Sequence, residues 1–288
     1  MLECENTACL HANDITVTVC PVCGTTQTNP VNVKRAKLKQ EIAALDSRYQ
    51  VSMNSFTARG LQNEHQRLEQ LVQTKGKAVI NTSFDFTWEW LGPNRSAYTS
   101  YRRQLMDKTR QTALFENDVN RTLADSFLYG SATDIIYGAL TVNEKGLTSY
   151  GEVSVFLKEI SVERRTSVLE TNSFYFIKDL VDNNQYTFGK PFPAGYLSSW
   201  QDKYKLAVSK LASSLNKNIS DEELCDLILF SSGDKNTDRF FELHIYGSIV
   251  AAAIEKIVIP ENVLHSKDIK RQLQWGELRK YYNTEEVQ

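Results

Sequence analysis

The chain has 288 residues, 41% hydrophobic and 24% charged, which is long enough for one large domain plus an appendage around a sizeable core. Thirty-three Lys and Arg against thirty-five Asp and Glu leave a formal net charge of -2, which excludes the overall basic bias of a protein that coats nucleic acid. No apolar run approaches the roughly eighteen residues needed to cross a bilayer, and the start has neither a basic n-region nor an apolar h-region, so a reducing cytoplasm and no membrane partner are expected.

Four of the five cysteines fall in MLECENTACLHANDITVTVCPVCG, with the spacing C-x4-C-x10-C-x2-C. In a reducing compartment, cysteines so clustered hold metal more often than they form disulfides. Cys4 and Cys9, then Cys20 and Cys23, form two arms that can place four thiolates around one tetrahedral Zn2+, with Pro21 and Gly24 supplying the turn of a knuckle. His11 is an alternative ligand to Cys9. Asp14 to Val19, DITVTV, reads as a strand between the arms. Residues 1–30 have no core, so bound metal would supply their folding free energy. Zinc ribbons bind nucleic acid or protein partners more often than they catalyse, because four filled ligand positions leave none for a substrate. Cys225, in a predicted helix, reads as a small buried hydrophobe.

Residues 31–80 follow as a helical linker or hairpin. Leu38, Ile42, Leu45 and Tyr49 recur at helical spacing, as do Leu61, Leu68, Leu71 and Val72, with SMNSFTARG as a break between the two segments. Nine Lys or Arg (34, 35, 37, 39, 48, 59, 67, 75, 77) against four acids (41, 46, 64, 69) give a local balance of +5. A nucleic-acid contact and an ordinary solvated helix surface both fit that balance.

From residue 81 to 288 the pattern is that of a mixed α+β domain with a central, mostly antiparallel sheet. FDFTWEWLGPN carries a Gly-Pro turn, and SAYTSY to LYG reads as one or two amphipathic helices ending at Gly130. TDIIYGALTV, GEVSVFLKEI and SFYFIKDL read as strands, and SSWQDKYKLAVSKLASSL as a helix. Ser220 and Glu223 form a capping box opening a helix through Phe230. RFFELHIYGSI and IEKIVIP read as strands, and DIKRQLQWGELRKYY as the closing helix.

Phosphate-loop, dinucleotide-fold, zincin and α/β-hydrolase signatures are absent. Polar residues set among apolar strands remain. Period-2 alternation puts Glu242, His244 and Tyr246 on one face of a strand and Phe241, Leu243 and Ile245 on the other. An edge strand showing ordinary polar groups to water and an inner strand lining a pocket are both compatible with that pattern. Tyr137-Gly138 and Tyr150-Gly151 sit beside strands, where glycine admits another backbone or a flat ligand. Asp234, Asp238 and Glu242 form a loose acidic group that a metal-dependent nuclease would need, although a surface loop accounts for the first two.

The order YGAL, SYGEVSVFLK, RRTSVLETNS, FELHIYG and IEKIVIP, over roughly residues 134–260, resembles bacterial toxin-like domains and, more distantly, ADP-ribosyltransferases. That resemblance implies NAD as substrate, transfer of ADP-ribose to a nucleic-acid or protein target, and a neutralising protein partner for a toxin or defence effector. It implies Glu242 as the catalytic acid, Glu255 as a second candidate acid, Tyr150 as the middle aromatic, and Tyr137, Ser173, His244 and Tyr246 around the cofactor. Asp134 and Tyr137 occupy the early strand where Arg or His is usual, so Arg165 or Arg121 would supply the cation. The chemistry is coherent. Cleaving the nicotinamide–ribose bond develops positive charge that a fixed carboxylate stabilises, and arginine grips pyrophosphate. The other expectation is a non-enzymatic adaptor whose ribbon binds nucleic acid or a protein.

Overall fold

In a computed structural model of the chain, the described residues are 1–9, 11–93, 97–108, 124–130, 134–182, 192–264 and 268–287. Residues 1–30 carry very little regular structure: β1 (Leu2–Glu3) pairs antiparallel with β2 (Ala12–Asn13), and Val19 bridges Thr26. The expected strand over Asp14–Val19 is a turn instead. The Asp14 carboxylate accepts from the Thr16 N–H at 2.9 Å and from its hydroxyl at 2.7 Å, which bends the chain locally and leaves no ladder to form.

The segment after Pro30 forms α1 (Val31–Ala36), α2 (Lys39–Arg59) and α3 (Gln62–Lys75). No break occurs at SMNSFTA: α2 runs on to Arg59 and stops at Gly60, whose φ of 69° closes the helix in the left-handed region. Ser52 and Phe56 are buried on the inner face of α2, and that packing overrides the weak local propensity of Ser, Asn and Thr. Nor is the segment a separate spacer. Leu45, Phe56, Leu61, Leu68 and Val72 join one core cluster with sheet residues Ile136, Leu243 and Ile245, and β3 (Lys77–Thr82) spans the boundary drawn at residue 80.

The remaining elements are α4 (Phe84–Leu91), α5 (Tyr101–Met106), α6 (124–129), β4 (Ile135–Thr141), β5 (Val153–Leu157), α7 (Glu159–Val162), β6 (Thr166–Leu169), α8 (Ser173–Asp182), β7 (Leu197–Ser199), α9 (Lys203–Leu211), α10 (Asp221–Ile228), β8 (Leu229–Phe230), β9 (Arg239–Phe240), β10 (Glu242–Tyr246), β11 (Ile254–Pro260), α11 (Glu261–Leu264), α12 (Ile269–Leu278) and β12 (Thr284–Val287). Eight strands make one sheet in the order β12-β11-β5-β3-β4-β10-β6-β7, antiparallel throughout except for β11 with β12. The α+β class with a mostly antiparallel central sheet is therefore as expected.

Two sequence expectations change in type. SFYFIKDL is helix α8 rather than a strand: the Asn172 side-chain oxygen accepts from the N–H of Phe174 at 3.0 Å and of Tyr175 at 3.4 Å, and Phe176, Ile177 and Leu180 then fall on one buried face. The capping box holds, with Ser220 N–H donating to Glu223 at 2.8 Å and Glu223 N–H to the Ser220 hydroxyl at 3.2 Å, but α10 ends at Ile228 and Leu229–Phe230 become strand.

The sheet is covered on both faces. Ile136, Val168, Leu243 and Ile245 pack under α2, α3 and α9, where burying each aliphatic side chain contributes about 1.5–3 kcal/mol. Ile135 and Leu169 meet α1, α6 and α8 on the opposite face. Glu242 and His244 alternate onto that second face, and β10 is an inner strand between β4 and β6.

Candidate metal centre and the polar face of the sheet

Cys4, Cys9, Cys20 and Cys23 are free thiols whose sulfurs all lie within 4.8 Å of one another. Cys4 Sγ is 3.5 Å from Cys23 Sγ, and Cys9 Sγ is 3.9 Å from Cys20 Sγ. Metal–sulfur bonds of roughly 2.3 Å around a tetrahedral ion require sulfurs about 3.8 Å apart, so the four thiols fit one divalent metal. Local chemistry builds the cage. Gly24 adopts φ +71° to turn the knuckle, and its N–H donates to the Cys20 carbonyl at 2.9 Å. The Gln27 amide points its Nε2 at Cys4 Sγ, 3.5 Å away. The Thr25 hydroxyl and backbone N–H hold the Cys23 thiol down to about 6; the N–H of His11 lowers Cys9, but burial and the neighbouring thiols outweigh it and push Cys9 up to about 11. His11 itself is exposed and contributes its carbonyl to the Cys4 N–H at 3.0 Å.

The Glu5 carboxylate locks the exit of this head by accepting from the Thr28 N–H and hydroxyl (2.9 and 2.7 Å) and from the Asn29 N–H and side-chain amide (3.1 and 2.9 Å). Burial alone would raise its pKa, but these four donors bring it to about 2. The basic residues of 31–80 are engaged within the chain. Buried Lys34 donates to the Val17 carbonyl at 2.6 Å, Lys37 to Asn29 at 3.1 Å and Lys39 to Glu3 at 2.6 Å, clasping the cysteine head to α1 and the start of α2. Arg35 pairs with buried Glu41 at 2.8 Å and Arg48 with Glu170 at 2.7 Å; Arg59 and Arg67 grip the carbonyls of Ala212 and Ile219, and Lys77 bridges Glu144 and Glu255. Of the nine, Lys75 alone lacks such a described contact, and it is exposed.

The second site is the polar row on β10. Glu242 is 5% exposed and His244 is fully buried, which removes the edge-strand alternative. Glu242 Oε1 accepts from the Ser173 N–H, at the start of α8, at 3.1 Å and lies 2.7 Å from His244 Nε2. With Nε2–H donating to Glu242, His244 Nδ1 is left to accept from the Tyr129 hydroxyl, which it contacts closely, and Tyr129 reaches Ser167 Oγ at 3.3 Å. Tyr137, opposite His244 in the β10–β4 register, packs its ring 5.1 Å from the imidazole and bonds Asp125. Burial, then the charges of Asp125 and Glu242, raise the Tyr137 phenol far above its usual value; burial likewise raises Tyr129, with the Ser167 hydrogen bond opposing and those two charges assisting. Tyr150 lies close enough that Glu242 also raises its pKa after burial, and its hydroxyl accepts from the Asn172 amide at 3.1 Å.

Five residues singled out in the sequence are thus associated: Glu242, His244, Ser173, Tyr137 and Tyr150. Three are not part of this network. Arg165 anchors the far end of β10, with Nε donating to the Ser161 carbonyl at 2.5 Å and Nη1 to the carbonyls of Tyr246 and Ser248 at 3.1 and 2.7 Å, so its guanidinium is tied to the backbone there rather than to Glu242. Tyr246 sits at that same far end, 38% exposed. Glu255 is on β11, which β5, β3 and β4 separate from β10, and it pairs with Lys77 at 2.6 Å. Arg121 lies outside the described residues. Asp234 and Asp238 hold their own turn, with Asp238 accepting from the Ser232 N–H at 2.7 Å, so no acidic metal cluster forms with Glu242. The two Tyr-Gly pairs serve backbone packing rather than a ligand: a Cβ on Gly151 would lie 2.2 Å from the Thr82 carbonyl carbon, and one on Gly138 2.8 Å from the Val79 oxygen. The polar stretch RRTSVLETNS supplied Ser167 as well as Ser173, whereas reasoning from sequence missed Tyr129, Asp125 and Asn32, whose amide donates to the His244 carbonyl at 2.7 Å; these three come from distant elements with no local signal. Cys225 is half-buried against the main core.

No known protein family matches the chain, and no curated protein is significantly similar to it. The likeness to ADP-ribosyltransferases therefore rests on short motifs alone. No helix among the described residues is long and apolar enough to cross a membrane.

Proposed function

We propose that this protein is a non-enzymatic adaptor: a structural zinc head on an α+β body, which binds a protein partner in a reducing cytoplasm. Zinc is the metal that four thiolates at tetrahedral spacing favour, and four protein ligands leave no open position for substrate. The observation that carries the reading is that the cations next to the head each hold a partner within the chain, buried Lys34 the Val17 carbonyl, Lys37 Asn29, Arg48 Glu170, Arg59 and Arg67 backbone carbonyls and exposed Lys39 Glu3, while the head, residues 1–30, contains no Lys or Arg. Phosphate backbones need free cations, so this arrangement disfavours nucleic acid as the target. The closed chain Ser173–Glu242–His244–Tyr129–Ser167 supports a packing role for the polar row, because its members satisfy one another.

The alternative, ADP-ribosyl transfer from NAD, draws on the gathering of Glu242, Tyr137, Tyr150, Ser173 and His244. One experiment separates the two. Calorimetric titration of the metal-loaded chain with NAD, alongside assays with labelled NAD on protein and nucleic-acid acceptors, should show neither binding nor label. Saturable NAD binding with transfer that is lost in Glu242→Gln would overturn the adaptor reading.

A further inference from the structure

The interior of the cysteine head is made of thiols and amides. Among the described residues of 1–30, Cys4, Asn13, Cys20 and Gln27 are buried, and no aliphatic or aromatic side chain is. Bound metal therefore supplies the folding free energy of this segment, and losing the metal removes its core. The cage is closed on one side and open on the other. Cys4 and Cys20 are buried and Cys9 is partly so, whereas Cys23 is exposed, in an exposed run with Pro21, Val22 and Gly24. Cys23 is thus both a ligand and the thiol of the cage that a solute meets first. A second sulfur stands beside it: Cys4 Sγ is 3.5 Å from Cys23 Sγ, while Cys9 and Cys20 face each other at 3.9 Å. Cys225, the fifth thiol, is half-buried against the main core, away from the head. Lys34, Lys37 and Lys39 hold the head through the Val17 carbonyl, Asn29 and Glu3, acceptors whose positions depend on the head staying folded.

We propose that the head is a peroxide-sensitive switch, in which oxidation of Cys23 together with Cys4 expels the metal and releases the head from α1 and the start of α2. The proposal rests on the adaptor reading and names how that adaptor is regulated. The Cys23 thiolate attacks one peroxide oxygen, which forms a sulfenic acid and releases hydroxide; the Cys4 thiolate then attacks the Cys23 sulfur, displaces the second hydroxide and closes a disulfide. The two sulfurs supply the two electrons that reduce the peroxide, and two protons from solvent complete two waters. The metal leaves as the divalent ion it was, because two of its four thiolate donors are gone. A dithiol reductant returns the two electrons and readies the head for reloading. In the oxidised form the head has lost its core, so binding of a partner that needs the folded head ends.

The test titrates the full, zinc-loaded chain with hydrogen peroxide while a chromogenic chelator reads released zinc and mass spectrometry of alkylated peptides reads the thiols. At the outset each zinc ion released should accompany the loss of two thiols, with Cys23 in the first disulfide, Cys225 still open to alkylation and hydrogen exchange of residues 11–30 accelerated. A dithiol with added zinc should restore the native pattern. Cys23→His keeps a fourth ligand without an exposed thiolate and should lose zinc to peroxide about tenfold more slowly, whereas Cys225→Ser should match the native chain. Where Cys23→His does not hold zinc, the disulfide map of the native chain decides on its own. Zinc retained while Cys225 is oxidised first, a first disulfide that omits Cys23, or equal rates of loss in Cys23→His and the native chain would overturn the switch and leave the zinc head standing. A native chain that takes up no zinc would overturn the switch and the zinc head together.

Discussion

Replacing Lys34 by Met tests how the cysteine head is held to the body. Lys34 is 3% exposed, and its Nζ donates one short hydrogen bond, 2.6 Å, to the Val17 carbonyl; burial lowers its pKa, with the nearby Glu5 charge opposing. A hydrogen bond from a charged donor contributes about 1.5–3 kcal/mol, and its loss leaves the Val17 carbonyl without that partner. Methionine would fill much of the volume and remove the cost of burying an ammonium, offsetting part of that loss. The net effect is about 1–2 kcal/mol, enough to raise local opening of the head roughly 5- to 30-fold. Lys39→Met is the internal control: its pair with Glu3 has side chains 81% and 67% exposed, a class of ion pair worth about 0–1 kcal/mol at most. Hydrogen exchange of residues 11–30 and the rate of zinc loss to a chelator report the opening. Faster exchange and faster metal loss in Lys34→Met, with Lys39→Met close to native, are expected. Equal behaviour of the two variants would refute the claim that a buried clasp, rather than the surface pairs, seats the head.

Tyr129→Phe should lower stability by about 1–3 kcal/mol in urea denaturation, because His244 Nδ1 and Ser167 lose the hydroxyl between them inside the core; an unchanged midpoint would argue against the chain. Gly151→Ala should cost about 3 kcal/mol or more, since its Cβ would meet the Thr82 backbone at 2.2 Å and the residue holds φ +156°; a melting temperature within a degree of native would contradict that close approach. Lys210, whose Nζ sits over the Phe241 ring, has its pKa lowered to about 8 by burial and by Arg239 against the opposing pull of Glu170. Between about pH 8 and its ordinary value near 10.5 the unfolded chain binds more protons than the native one, so stability should rise with pH across that window, by about 1–3 kcal/mol in total. Lys210→Met should flatten the rise, and an identical slope in the variant would place the titrating group elsewhere.

What could be read in advance was whatever is written locally. The CPVCG knuckle, the Ser220–Glu223 box and the alternation of β10 each depend on residues within a few positions of one another, and all are present. The strand assigned to SFYFIKDL failed because aromatic and β-branched content outweighed the Asn172 cap beside it. The linker was misread for a different reason: a stripe of Leu and Val at helical spacing says that a helix buries a face, not which surface covers it. Arg165 looked like a ligand clamp because nothing near it in sequence announces the Ser248 carbonyl it holds. Tyr129 reaches His244 from another element, beyond any local pattern.

The place of β3 carries a consequence for how the chain is made. It lies between β4 and β5, whose residues are synthesised well after it, so as the chain leaves the ribosome α2, α3 and this strand must wait for the neighbours they pack against. A cut after residue 80 would remove most of β3 and split the sheet into β12-β11-β5 on one side and β4-β10-β6-β7 on the other. Residues 31–80 and the rest of the sheet are therefore not exchangeable modules, because the strand that joins the two halves of the sheet belongs to the first of them.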